Sequence, residues 1–67
     1  MDVGRRLALN MKRLRQQNGW SQEELAERVG RHRTFISQLE RVIKSPTLET
    51  LARIAEAFGV KIGELVD

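Results

Sequence analysis

The stretch QEELAERVGRHRTFISQLER, Gln22 to Arg41, decides the fold. Apolar residues recur in it at helical spacing in two separate runs. Leu25 and Ala26 fall on the inner face of a first short helix, and Ala26 is small enough to let another helix come close. Gly30 follows, where the chain must turn and where only glycine takes positive φ cheaply. Ile36 and Leu39 then mark, at i and i+3, the inner stripe of a second helix. Two helices meeting at a sharp angle across a turn of about three to four residues form a helix-turn-helix unit.

The outward face of the second helix carries the functional signal. At ~100° per residue, Thr34, Ser37, Gln38 and Arg41 project opposite Ile36 and Leu39, with Arg33 at the edge. An arginine, an amide and hydroxyls are groups that hydrogen-bond base edges in a major groove. Almost no apolar surface stands among them, whereas a helix that docks on protein more often shows aromatics or leucines there.

Outward from this unit, Val3 to Gln17 reads as a first helix, with Leu7, Met11 and Leu14 as its buried stripe and Asn18-Gly19 as its stop. Leu9 falls off that stripe, either exposed or against another chain. Ser21 opens the next helix as N-cap, and Glu24 is expected to return a bond to the Ser21 N–H in a capping box. Trp20 and Leu25 are placed for a hydrophobic staple. That helix N-terminus presents free N–H groups that suit a phosphate, and Gln22 stands just inside it. The recognition helix is expected over 33–41, with His32 near its cap. Thr47, just after Pro46, caps a fourth helix whose core positions are read as Leu48, Leu51, Ile54, Ala55 and Phe58, with Gly59 as its stop. A short last helix over 62–66 carries Ile62, Leu65 and Val66.

Sixty-seven residues give room for one small domain, here 1–67, with a modest core that oligomerisation would help to stabilise. No cysteine is present, which removes disulfides, thiolate metal sites and thiol nucleophiles. No apolar run approaches the ~18 residues of a membrane span. No signal-peptide pattern opens the chain, so a cytoplasmic protein, at the nucleoid if it binds DNA, is expected. The net charge of +3 is unevenly spread: residues 1–44 hold ten Lys/Arg against five Asp/Glu, and residues 45–67 hold two against four. The helix-turn-helix half is therefore the basic half, which favours a polyanion. One histidine, no tyrosine and no glycine-rich phosphate loop make a poor inventory for an enzyme. No catalytic residue, metal ligand, cofactor or small-molecule ligand is expected.

QEELAERVG followed by ISQLER, and then PTLETLARIAEAFGV, resembles the Cro/repressor-type (XRE) helix-turn-helix regulators of bacteria and phages. The similarity runs over roughly residues 7–66, and the local string HRTFISQLER is also similar to the controller proteins of restriction–modification genes. The resemblance implies an all-α, compact five-helix bundle of the lambda-repressor-like kind. It also implies a homodimer that regulates transcription from a palindromic operator as repressor or controller. The C-terminal helices of the family usually pair, which makes Phe58, Ile62, Leu65 and Val66 the interface candidates. An arginine late in the first helix meets a glutamate at the end of the third in this family, and Arg15 and Glu40 match; the pair is read as a structural salt bridge. The family usually has glycine where Val42 stands, and valine in a left-handed conformation is strained.

Arg33, Thr34, Ser37 and Gln38 are the expected base contacts, Arg33 suiting guanine and Gln38 adenine. Gln22, Arg31, His32, Arg41 and Lys44 are the expected phosphate contacts, which position a protein without reading sequence. Phe35 lies ~60° off the core centre and reads as core flank rather than as a contact to a thymine methyl. The rival reading from another class is a protein-interaction module, an antitoxin or a bridging factor; the polar, basic outer face of the recognition helix favours DNA over it.

Overall fold

The computed structural model describes residues 2–67. Five helices and no strand occur among them: α1 Val3–Gln17, α2 Gln22–Val29, α3 Arg33–Glu40, α4 Leu48–Phe58 and α5 Ile62–Val66. The spacing reading therefore holds for all five, and the recognition helix is one residue shorter than expected because Arg41 serves as its C-cap.

Each helix sends at least one fully covered side chain to a single centre. Met11 from α1, Leu25 from α2, Ile36 and Leu39 from α3, Ile54 from α4 and Leu65 from α5 are the largest of these. Full burial of such a side chain is worth about 1.5–3 kcal/mol, so these positions fix how the helices stack. Helix α1 lies against both α3 and α5, and α2 lies against α3 and α4. Phe35 is buried, as core flank predicts. Trp20 and Phe58 close the far end, their rings stacked with centroids 5.4 Å apart.

The helix ends follow the local chemistry closely. Ser21 Oγ accepts the Glu24 N–H at 3.0 Å, and Thr47 Oγ1 accepts the Thr50 N–H at 3.1 Å. Gly30 ends α2 at φ 77°, a left-handed conformation that turns the chain into α3 without a Cβ penalty. Three expectations need correction. The Glu24 carboxylate does not complete a capping box: it takes Arg28 Nε at 2.8 Å, a partner one turn along its own helix. Leu48 is not core but 79% exposed, because the first turn of α4 precedes the point where the helix meets the bundle. Leu65, an interface candidate, is wholly buried within its own chain and has no surface to offer a second copy.

Val42 takes the left-handed conformation, φ 59°. Its amide donates to the Leu39 carbonyl at 3.1 Å, and the Ile43 amide donates to the Gln38 carbonyl at 2.9 Å. These two bonds make a Schellman ending of α3, with valine at the position that glycine usually fills. The Val42 side chain leans over the first turn of α1, where a Cβ on Gly4 would stand 3.2 Å from Val42 Cγ1. Replacing Val42 with glycine keeps this backbone and removes a left-handed penalty of about 1 kcal/mol. Val42→Gly should therefore raise the melting temperature by about 4–8 °C in a circular-dichroism melt. A lower value would contradict the strain.

Candidate nucleic-acid interface

The recognition unit is held by one buried acid. The Glu40 side chain, only 1% exposed, sits at the end of α3 and faces Arg15 from α1. Arg15 Nε donates to Glu40 Oε2 at 2.8 Å and Arg15 Nη2 donates to Oε1 at 3.1 Å, a two-pronged pairing. Arg15 Nη1 donates to the Trp20 carbonyl at 3.0 Å, and Gln22 Nε2 donates to Glu40 Oε1 at 3.1 Å. One carboxylate thus joins α1, the start of α2 and the end of α3. The expected structural pair is present, with Gln22 as a third member.

Beside this network, and sharing Gln22 with it, Gln22, Arg33, Thr34, Ser37, Gln38, Arg41 and Ile43 line one shallow recess of about 280 Å³. All four expected base-contact residues meet there, together with two of the expected phosphate contacts. The four ion pairs among the described residues leave out both Arg33 and Arg41. Their guanidinium groups, beside hydroxyls and an amide, face solvent and are free to take an external acceptor.

The family model HTH_3, a helix-turn-helix family, matches residues 11–65. The chain belongs to this XRE-type helix-turn-helix family of transcriptional regulators. It is 41% identical over 66 residues to the control protein C.SmaI of Serratia marcescens, covering 98% of this chain and 79% of that one. It is 42% identical over 52 residues to the antitoxin HipB of Escherichia coli K12, covering 78% of this chain and 59% of that one. The crystal structure of a hypothetical transcription factor, NHTF from Neisseria, superposes with a TM-score of 0.94 at 39% identity, covering 98% of this chain and 76% of that one.

Within the family frame, the flanking residues divide. His32 Nδ1 accepts the Thr34 N–H at 3.1 Å, so the ring caps α3 and leaves only Nε2 for a phosphate. Gln22 spends one Nε2–H on Glu40, which orients the amide and leaves its second N–H toward the recess. The Arg31 guanidinium lies 3.7 Å over the Phe35 ring and Nη1 donates to Thr50 Oγ1 at 3.3 Å. Lys44 stands near the same ring, with Nζ 5.9 Å from its centroid, outside the recess. Arg31 and Lys44 therefore form a second basic spot at the α3–α4 side.

Two features escaped the sequence reading. The Gln22–Glu40 bond joins residues eighteen apart on different helices, and no periodicity marks it. The presence of Ile43 in the recess follows from the Val42 turn, and a left-handed Val42 was the signal that its neighbour would be redirected. No group of three or more His, Cys, Asp or Glu among the described residues could hold a metal. No helix there is long and apolar enough to cross a membrane.

Glu40→Ala leaves the Arg15 guanidinium with one partner in a mostly covered site. Loss of one member of a buried pair costs about 3 kcal/mol or more, so the melting temperature should fall by about 10 °C or more. Replacing both charges, Arg15→Met with Glu40→Met, should lose less than Glu40→Ala alone. An unchanged melt for Glu40→Ala would refute the network.

Proposed function

We propose that this protein binds duplex DNA sequence-specifically as a homodimer and so regulates transcription, as a repressor or a controller. One observation carries the reading: the recess on the outer side of α3 gathers amide and hydroxyl groups with the guanidinium groups of Arg33 and Arg41, which no ion pair among the described residues uses. That set fits the donor and acceptor pattern of a major groove. Arg33, Thr34, Ser37 and Gln38 reach bases, while Gln22 and Arg41, with Arg31, His32 and Lys44 outside the recess, hold phosphates. Similarity to the control protein C.SmaI supports the same role.

The dimer reading rests on what a small basic domain needs and on apolar surface near α5. Ile62 is 38% exposed and Leu9 is 55% exposed. Leu9 shares a recess with Asp67, the residue that follows α5. Val66 and Phe58, both partly buried against the core, are the remaining candidates. A two-fold pair would set its recognition helices ~34 Å apart, one turn of DNA, so the operator is an imperfect palindrome.

Similarity to the antitoxin HipB favours a second reading, in which the chain also or instead holds a protein partner. Selection from a random duplex library at about 0.15 M salt separates the two. A two-fold-symmetric motif supports the regulator. Weak, salt-sensitive binding without enrichment contradicts it and favours the protein partner.

On the selected site, Arg33→Ala should lose about 1–3 kcal/mol and relax the preference at one base position per half-site. Arg41→Ala should instead weaken all sequences alike and flatten the salt slope by about one. Equal losses on specific and random duplex for Arg33→Ala would contradict its base-reading role.

A further inference from the structure

We propose that Ile43 is a base-reading residue that packs on the C5-methyl group of a thymine, next to the base that Gln38 reads. The proposal rests on the duplex-DNA reading above and deepens it. Ile43 is fixed by the ending of α3: its amide is bonded to the Gln38 carbonyl at 2.9 Å across the left-handed Val42. In a Schellman ending, the residue at this place normally packs its apolar side chain on the residue whose carbonyl it takes. Here that residue is Gln38, on the exposed recognition face, so Ile43 has no core to enter. It remains 59% exposed and lines the same recess as Arg33 and Gln38.

An apolar side chain held by backbone bonds among polar groups calls for an apolar counterpart. The major groove offers one at base edges, the thymine methyl. Among the described residues, no other apolar side chain lines the recess. Phe35 is buried, with the Arg31 guanidinium over its ring, and Val42 leans toward Gly4 on α1. Val42 sets the direction of the turn, and Ile43 uses it.

The test replaces each thymine of the selected operator in turn with deoxyuridine, in both half-sites together, which deletes the methyl and nothing else. Affinity is measured by fluorescence anisotropy at fixed salt. For the wild type, one symmetry-related thymine pair should show a loss of about fourfold per half-site, the worth of one buried methyl-sized group. Ile43→Ala should bind the thymine and uracil operators equally at that position while losing discrimination nowhere else. The substitution lies on the surface, and the wild-type comparison alone needs no variant. Undiminished discrimination in Ile43→Ala would overturn the proposal, as would a wild type indifferent to every thymine methyl on a site it still selects. A wild type that selects no site at all would overturn the DNA reading and this proposal together.

Discussion

The Glu40 carboxylate is the constraint on which the rest depends. Removed from water, a carboxylate is tolerable only if its lone pairs are met by donors, and here Arg15 supplies two and Gln22 a third. Because these donors come from α1 and from the start of α2, the position of the acid on α3 fixes three helices at once. Among the described residues, no buried side-chain nitrogen or oxygen lacks a partner. The outer face of α3 is therefore held in one orientation, with its polar groups turned outward. Hydrophobic packing around Met11, Ile36 and Leu39 supplies the stability. The polar network supplies the register.

A second constraint acts at the other end of the same acid. Immediately after Glu40 the chain must leave the helix, and it does so through a left-handed valine. Glycine would make that turn without strain, but either residue produces the same pair of backbone bonds, to Leu39 and Gln38. Their effect is to deliver Ile43 to the recess rather than to the core. The network behind α3 and the turn after it thus both shape one surface, from opposite sides.

Much of this was legible in the sequence because it depends on local rules. Ser21, Thr47, Gly30 and Gly59 mark helix ends by their own chemistry, and Leu25, Ile36 and Ile54 mark the core by spacing. The Arg15–Glu40 match came through family resemblance rather than through spacing. What spacing misjudged lies where tertiary geometry overrides it. Leu48 has the right period but stands ahead of the packed part of α4, and Leu65, an interface candidate through the resemblance, is covered where α5 folds onto α1. Glu24 had two available partners, the Ser21 amide and Arg28, and the cation took it. Gln22 looked like a DNA ligand, and it is also a brace for Glu40.

The central claim is that the surface built by α3, its N-terminal neighbour Gln22 and the turn after it is the surface that meets DNA. Backbone-amide NMR on titration with duplex DNA tests it most directly. The account predicts that the perturbed amides cluster at Gln22, at Arg33 to Gln38 and at Arg41 to Lys44, while those of Glu49 to Glu56 on α4 stay in place. Perturbation centred on α4, with the amides of α3 unmoved, would contradict it.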